Sequence, residues 1–407
     1  MSDRARRVIE ECRAIAQMSE EPGHTTRRFL TPPFHQVHPH LRARMESVGM
    51  TVHVDAVGNL HGLWNPSGAS GKALILGSHI DTVPDAGAFD GVLGVVLALE
   101  LVACAKHLEL PLTLEVIAFS EEEGVRFGFP FIGSRAVAGR LDPAVLELHD
   151  AEGVSIRQAI ENFGLDLSKL KDAMADQRSA GFVEFHIEQG PVLEAEGLSV
   201  AAVTSIVGQT RLDLRFIGHA NHAGTTPMHL RRDAIAAAAE WITKVEALAV
   251  KTAGLVATVG KLEVHPNAGN VIPGLVELSL DVRHVHDSTR RAAVDDLVEQ
   301  ATAIVTRRGL ALEWKKRMDE PSVPMDERLT AFMTDAIEGA GFPEKTMPSG
   351  AGHDAMIMAG TMPAAMLFLR SPGGLSHHPD EAVREEDVEA ALRVGEKFLK
   401  RLSAEVR

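Results

Sequence analysis

The sequence predicts an α/β protein built on a mixed sheet, with a smaller ferredoxin-like α+β domain inserted into it. The chain of 407 residues is longer than one ordinary hydrophobic core requires, which favours two domains. Apolar strands alternate with helices before Gly208, whereas a β-α-β-β-α-β order, typical of a ferredoxin-like sandwich, extends from there to Pro321. We therefore expect a discontinuous larger domain of residues 1–208 and 321–407, and an inserted domain of residues 209–320.

Hydrophobic periodicity and turn residues place the elements of both domains. In the larger domain we expect an N-terminal helix, a loop at 21–40, a helix at 37–48, strands at 51–55 and 60–64, a turn at 65–68, a strand from 73, a helix at 91–107, a strand at 112–119, helical sequence at 142–179, a strand at 182–187, a helix at 327–340, a strand at 364–369 and a helix from 385. In the inserted domain we expect strands at 210–217, 255–264, 276–282 and 310–314, and helices at 232–249 and 288–307.

The composition excludes several classes of function. A net charge of -15, from 41 basic and 56 acidic residues, argues against a nucleic-acid or anionic-membrane partner. The two cysteines form no CxxC pair, so any metal ligands should be nitrogen and oxygen. No apolar run reaches the ~20 residues of a membrane span, and charges interrupt the N-terminal helix, unlike a signal peptide. A cytoplasmic location is therefore the default expectation.

The chemistry is predicted to centre on residues 74–95, LILGSHIDTVPDAGAFDGVLGV. An apolar strand delivers His79 to its end, Asp81 stands two residues on, and a glycine-flanked Asp90 precedes a helix. A metal site needs such groups: an imidazole, a second group that orients the imidazole from behind, and a further carboxylate.

Three more segments place polar groups directly after apolar strands. Adjacent glutamates are usually solvated surface charges, but Glu121, Glu122 and Glu123 follow a buried strand, where uncompensated carboxylates would cost several kcal/mol. A cation is the natural compensation: one glutamate can bind it while its neighbour accepts a proton from water. His186 lies at the end of an apolar strand and His377 follows another, although each histidine alone is more typical of a core or a surface than of a metal site.

Seven motifs occur in one order along the chain, and together they are highly specific. They are GSHIDTVPDAGAFDGVLGV, FSEEEGVRFG, EFHIEQGPVLE, GHANHAGTTPM, NAGNVIPG, SGAGHDA and GLSHHPDE. In this combination the chain resembles the two-metal amidohydrolases related to the M20 metallopeptidases, over residues 55–390. More narrowly, it resembles the branch of allantoate amidohydrolase, N-carbamoyl-L-amino-acid hydrolase and β-ureidopropionase. The resemblance implies a metallopeptidase-like α/β/α catalytic domain and an inserted dimerisation, or lid, domain.

The resemblance also implies a site for two divalent ions, Zn²⁺ or Mn²⁺, with Co²⁺ or Ni²⁺ as alternatives. His79 and His377 would bind one ion each, Asp90 would bridge the two ions, and Glu123 and His186 would complete the two sets of ligands. Glu122 would be the general acid and base, and Asp81 would hold the ligands from behind. A register one residue earlier, with Glu121 as the base and Glu122 as the ligand, stays open.

Further residues are implied in substrate binding. His222 would stabilise the oxyanion from the partner subunit of a homodimer, although it could simply cap the following helix. Arg283 would bind a substrate carboxylate, although an isolated arginine is more typical of a surface ion pair. Gln189, Asn270 and His353 would line the site.

The implied activity is hydrolysis of a linear C–N bond in a ureido acid. Allantoate, with release of ammonia and CO₂, is favoured by Gly208-Gln209-Thr210-Arg211 and by the SGAGHD segment. N-carbamoyl-L-amino-acid hydrolase or β-ureidopropionase is the close alternative. The alternative from another class is a ligand-binding homologue without catalytic activity. The sequence retains glutamates for both the base and the metal ligand, which argues against this alternative. HIEQGP and GHANHAGTTPM disfavour an aminopeptidase or carboxypeptidase.

Overall fold

The computed structural model describes residues 3–66, 72–175 and 179–405, and it divides the chain into two compact units. One unit comprises residues 1–204 and 324–407, and the other comprises residues 205–323. The predicted turn at 65–68 lies partly outside the described residues. No described helix is long and apolar enough to cross a bilayer.

The first part of the larger unit contains six α-helices and six strands among the described residues. They are α1 (Asp3–Ala16), α2 (Phe34–Ser47), β1 (Thr51–Val54), β2 (Leu60–Trp64), β3 (Ala73–His79), α3 (Val92–His107), β4 (Thr113–Phe119), α4 (Ile132–Val137), α5 (Ile156–Asn162), β5 (Gly181–Ile187), α6 (Val192–Glu196) and β6 (Val200–Ile206).

The inserted unit and the C-terminal part follow. The inserted unit contains β7 (Gly208–Ile217), β8 (Asn221–His222), α7 (Ala234–Lys251), β9 (Val256–Thr258), β10 (Leu262–His265), β11 (Val271–Ile272), β12 (Leu275–His284), α8 (Asp287–Arg308) and β13 (Ala311–Glu320). The remaining elements are β14 (Val323–Pro324), α9 (Glu327–Gly339), β15 (Thr346–Ser349), α10 (Asp354–Met358), β16 (Ala364–Leu369) and α11 (Glu385–Glu405).

The larger unit is built on a mixed sheet, as predicted. Its strand order is β1-β2-β4-β3-β5-β16-β6-β14, with β15 paired to β6. The four central strands β4, β3, β5 and β16 are parallel, while β2 and β6 pair antiparallel to β4 and β16. The carboxyl ends of the central strands therefore meet at one edge, where an open α/β sheet forms its site.

Helix α3 is apolar because it lies in the core of the larger unit. All but a few residues of α3 are buried, and α3 packs against β3 and β5. Gly94 lies at the closest approach, because a Cβ there would stand 2.2 Å from the carbonyl oxygen of Phe185. A side chain at this position would push the helix away from the sheet.

A buried ion cluster joins β2 to β4 in the larger unit. The ring of His61 lies between two carboxylates, with Nε2 3.3 Å from Oδ2 of Asp55 and Nδ1 2.8 Å from Oε1 of Glu115. Burial lowers the pKa of His61, but the hydrogen bonds to both carboxylates outweigh it and raise that pKa to about 9. His61 is therefore protonated near neutral pH.

In the inserted unit, two helices pack on one face of a five-stranded antiparallel sheet. The order is β10-β12-β7-β13, with β9 also paired to β12. Trp241 of α7 is fully buried against Phe216 of β7, and its indole N–H donates to the carbonyl of Leu297 in α8 at 2.8 Å. This is a ferredoxin-like arrangement.

Several predicted elements were wrong in extent. The single strand at 255–264 is two strands, β9 and β10, separated around Gly260, because glycine weakens a strand interior. The last strand of the inserted unit continues to Glu320 rather than ending at Trp314. Residues 315–320 of this edge strand are mostly charged and give no regular apolar alternation. Helix α2 begins at Phe34, inside the predicted loop, and strand β6 was not predicted.

Candidate metal centre

Five predicted metal ligands come together at the carboxyl edge of the parallel strands. His79 ends β3, Glu123 follows β4, His186 lies at the end of β5, and His377 follows β16. Asp90 stands on the loop that leads into α3. Tertiary structure thus brings together residues that are almost 300 positions apart in the printed sequence.

Asp90 lies at the centre of this cluster and faces ligands on both sides. Its Oδ1 is 3.2 Å from Nε2 of His186 and 3.6 Å from Nε2 of His79. Its Oδ2 is 3.3 Å from Nε2 of His377, and that nitrogen is 3.5 Å from Oε1 of Glu123. One carboxylate therefore joins a His79–His186 group to a His377–Glu123 group.

The two buried histidines are oriented by contacts on their other ring nitrogen. Nδ1 of His79 lies 3.1 Å from the carbonyl oxygen of Asp81, and Nδ1 of His186 lies 2.9 Å from that of Ile187. Because Nδ1 donates to a carbonyl in each case, Nε2 carries the lone pair that a metal requires.

The carboxylate of Asp81 holds two of the predicted segments together. Its Oδ1 accepts the N–H of Glu122 at 3.0 Å and its Oδ2 accepts that of Glu123 at 3.2 Å. Oδ1 is also 3.4 Å from Nδ1 of His79. Asp81 therefore connects the end of β3 to the glutamate turn without being among the groups that face Asp90.

The three adjacent glutamates have different environments. Glu121 is turned inward, where Oε1 accepts the N–H of Gly124 and Oε2 accepts that of Ile132 at 3.2 Å. Glu122 instead forms a group with His79 and Glu123, in which one ligand atom from each lies within 4.8 Å of the others. Burial raises the pKa of Glu122 well above its usual range. Backbone bonds thus occupy the carboxylate of Glu121, whereas the carboxylate of Glu122 faces His79 and Glu123.

The residues present fit a pair of divalent ions. Among the described residues, His79, Asp90 and His186 have ligand atoms within 4.8 Å of one another, and so do Asp90, Glu123 and His377. Oδ1 of Asp90 and Nε2 of His186 are buried and make no hydrogen bond. Burial and the charge of Asp90 raise the pKa of Glu123 to about 7, a cost that a bound cation would remove. Imidazole and carboxylate donors suit Zn²⁺, Mn²⁺, Co²⁺ or Ni²⁺.

The two ligand groups differ in exposure. The side chains of His79 and His186 are only 2% and 1% exposed, whereas that of His377 is 49% exposed. His377 also has a positive φ of 55°, which is uncommon for a residue other than glycine. The group on Oδ2 is therefore the more open of the two.

Gln189, predicted to bind substrate, contacts the same carboxylate. Its Nε2 donates to Oδ2 of Asp90 at 3.1 Å and to Oγ of Ser376 at 3.0 Å, while its Oε1 has no partner. Ser376 donates in turn to Oδ2 of Asp90 at 3.0 Å. Sequence reasoning missed Ser376 and also Glu381, which bonds the backbone at Asp90. Their only signal was their place around His377 in the motif GLSHHPDE.

His353 lies behind the predicted metal ligand His186 in the larger unit. It is buried, its ring packs edge-on against that of His186 at 4.4 Å, and its Nε2 is 2.9 Å from Oγ of Ser349. Burial lowers the pKa of His353 well below its usual range, so the ring is neutral. In this structure His353 contacts the predicted metal ligand His186. Direct substrate binding by His353 stays a prediction.

His222 and Asn270 lie together in the inserted unit. The N–H of Ala223 donates to the carbonyl of Asn270 at 2.9 Å. Nδ1 of His222 accepts the N–H groups of Gly224 and Thr225 at 3.1 and 3.2 Å. Because Nδ1 is an acceptor, the ring proton is on Nε2, which makes the exposed edge of His222 a hydrogen-bond donor.

Arg283 also belongs to the inserted unit, where it lies on β12. Its Nε and Nη2 donate to the two oxygens of Asp281 at 2.8 and 3.1 Å. Arg211 donates to the same carboxylate at 2.8 Å. Burial raises the pKa of Asp281, but the bonds from both arginines lower it overall. In this structure the guanidinium of Arg283 is therefore in an ion pair.

Known proteins are similar to this chain in sequence and in fold. The model of peptidase family M20/M25/M40 matches residues 75–401. An allantoate deiminase of Arabidopsis thaliana is 38% identical over 94% of this chain and 80% of its own length. An N-carbamoyl-L-amino acid amidohydrolase of Geobacillus stearothermophilus is 37% identical over 95% of this chain and 96% of its own. A crystal structure of an amidase of the hydantoinase/carbamoylase family from Burkholderia multivorans superposes with a TM-score of 0.92, at 31% identity, over 98% of this chain and 97% of its own.

Proposed function

This chain belongs to peptidase family M20/M25/M40, and we propose that it is a metal-dependent amidohydrolase. It would cleave a linear C–N bond in a ureido acid, and allantoate is the substrate that we favour. Ammonia and CO₂ would be released from the ureido group. The observation that carries the proposal is the position of Asp90 between two ligand groups, with Glu122 beside them. We further propose a cytoplasmic homodimer that uses Zn²⁺ or Mn²⁺, with Co²⁺ or Ni²⁺ as alternatives.

The two ions would share Asp90. His79 and His186 would hold one ion on the Oδ1 side, and Glu123 and His377 would hold the other on the Oδ2 side. Ions bound there would supply Lewis acidity, which lowers the pKa of water and polarises a carbonyl oxygen.

Glu122 would move the protons of the reaction. Its carboxylate accepts a proton from the water that attacks the ureido carbonyl, and it returns that proton to the leaving nitrogen. Burial suits both steps, because a carboxyl group with a raised pKa is a stronger base and holds the proton until the nitrogen takes it. The backbone bonds from Glu122 and Glu123 to Asp81 keep the glutamate turn in place.

The inserted domain would supply substrate contacts. The Nε2–H of His222 would donate to the oxyanion, and we propose that it comes from the partner subunit of the dimer. Arg283 would exchange its bond with Asp281 for the substrate carboxylate, since a guanidinium binds carboxylates through two parallel bonds. Asn270 of the inserted domain and Gln189 of the larger domain would also donate to the substrate.

N-carbamoyl-L-amino-acid hydrolysis is the second candidate, and β-ureidopropionase activity is related to it. The relative from Geobacillus stearothermophilus supports this candidate, at nearly the same identity as the plant allantoate deiminase. Both substrates present a ureido group beside a carboxylate, so the same side chains serve either one. The presence of Glu122 beside a full set of ligands argues against a silent homologue.

An ammonia-release panel tests the proposal. The protein, stripped of metal and reconstituted with Zn²⁺ or Mn²⁺, is offered allantoate, several N-carbamoyl-L-amino acids and N-carbamoyl-β-alanine. We expect the highest kcat/KM with allantoate and no turnover without metal. A higher value for an N-carbamoyl amino acid would make the second candidate correct. Absence of turnover on every substrate, with two ions bound, would support the silent homologue.

A further inference from the structure

Glu381 anchors the backbone of the loop that carries Asp90. Its Oε1 accepts the N–H of Phe89 at 2.9 Å and the N–H of Asp90 itself at 3.0 Å. Glu381 is only 6% exposed. Two backbone donors beside the shared carboxylate are thus satisfied by one side chain from a segment almost 300 residues away in the sequence.

The chain makes room for this contact with a glycine. A Cβ at Gly87 would lie 2.3 Å from Cβ of Glu381 and 2.5 Å from its Oε1. Any larger residue at position 87 would displace the Glu381 side chain from the loop. Gly87 therefore provides a second, independent way to perturb the same contact.

The side chain of Asp90 is tied to the same C-terminal segment. Ser376 donates to its Oδ2 at 3.0 Å, and Oγ of Ser376 lies 3.4 Å from Oε2 of Glu381. His377, the next residue, faces the same Oδ2 at 3.3 Å. The segment of residues 376–381 thus contacts both the backbone N–H and the carboxylate of Asp90.

We propose that Glu381 is a positioning residue that orients Asp90 as the carboxylate shared by two ions. The inference rests on the proposed two-metal site. Glu381 acts by fixing the loop of Asp90 to the loop of His377, so that Oδ1 and Oδ2 face opposite ligand groups. It touches neither substrate nor ion itself.

The two ion sites should depend on Glu381 unequally. His79 is held by Asp81, and His186 lies on β5, so the Oδ1 group keeps its own supports. The Oδ2 group contains the exposed His377, which shares a loop with Glu381. Loss of Glu381 should therefore weaken mainly the second, weaker binding event.

Titration with Co²⁺ alone tests this without any substrate. The full-length protein stripped of metal is titrated while visible absorption, which reports cobalt coordination, is recorded for Glu381→Ala, Glu381→Gln and Gly87→Ala. Asp233→Ala is the matched control, because one oxygen of Asp233 also accepts two backbone N–H bonds, at the start of α7 in the inserted unit. Circular dichroism checks that each variant is folded.

Glu381→Ala and Gly87→Ala should weaken the second Co²⁺ binding event by about 10- to 100-fold and alter its absorption. Glu381→Gln should retain most of the affinity, since its amide oxygen can accept the same two N–H bonds. If Glu381→Ala fails to fold, Gly87→Ala carries the test. Unchanged affinity in the folded variants, or an equal loss in the Asp233 control or in Glu381→Gln, would overturn the proposal. Absence of ureido-acid hydrolysis in the unaltered protein would overturn the proposed function alone.

Discussion

Glu122→Gln and Glu121→Gln, at adjacent positions, should have opposite effects on activity and stability. Among the described residues, the backbone N–H of Glu122 donates to Asp81 but its carboxylate makes no hydrogen bond, and burial penalises its charge. Glu122→Gln should therefore leave stability unchanged or raise it slightly. Because the proton acceptor is lost, kcat should fall by about 10²- to 10⁴-fold.

Glu121→Gln should do the reverse. Both oxygens of Glu121 accept backbone N–H groups, from Gly124 and Ile132, and an amide has only one oxygen to offer. One buried N–H then faces an NH₂ group and loses its acceptor, which costs about 1–3 kcal/mol. The folded fraction should retain kcat within a few-fold.

The assay pairs ammonia release with urea unfolding for both variants, each loaded with metal. Metal content, measured on the same samples, should remain at two ions per chain in Glu122→Gln. If Glu122→Gln keeps its activity while Glu121→Gln loses it without loss of stability, the glutamate register is shifted by one residue. Glu121 would then be the base and Glu122 the ligand.

Three further expectations concern other parts of the molecule. Because the pKa of His61 is raised from 6.5 to about 9, its contribution to stability is full below pH 6.5 and is lost as the pH rises through 9. Urea unfolding should show that the free energy of unfolding falls by about 3 kcal/mol across this pH range in the unaltered protein but not in His61→Gln. An equal pH dependence in both proteins would refute the raised pKa of His61. Heterodimers of a His222→Ala subunit and a Glu122→Gln subunit should regain part of the activity that both homodimers lack; no rescue would exclude a role for His222 across the interface. Arg283→Ala should raise KM for a ureido acid by at least tenfold but hardly change KM for a neutral ureide, and equal effects would remove its role in carboxylate binding.

The sequence alone determined the class of fold and the chemical character of the site. Buried strands appear as continuous apolar runs, and polar residues directly after them stand out because uncompensated charge is rarely placed there. This signal is local, so it identified the strand ends at His79, Glu121–Glu123 and His186 without any knowledge of their neighbours. The inserted sandwich was equally visible, since its strands and helices follow one another in a characteristic order.

Local patterns failed where exposure or pairing determines structure. The edge strand β13 is mostly charged after Trp314, so its continuation to Glu320 left no periodic signal. Residues 255–264 were interpreted as one strand, but β9 and β10 pair with separate parts of β12, on either side of the break near Gly260.

Only the tertiary structure decided how the site is assembled. Three adjacent glutamates are equivalent in sequence, and they differ because backbone amides from Gly124 and Ile132 occupy Glu121 while Glu122 faces His79. The contact of Glu381 with the Asp90 backbone joins distant segments and leaves no local pattern. Which side chains face one carboxylate depends on how the parallel strands are ordered in the sheet, and that order is set by packing across the whole core.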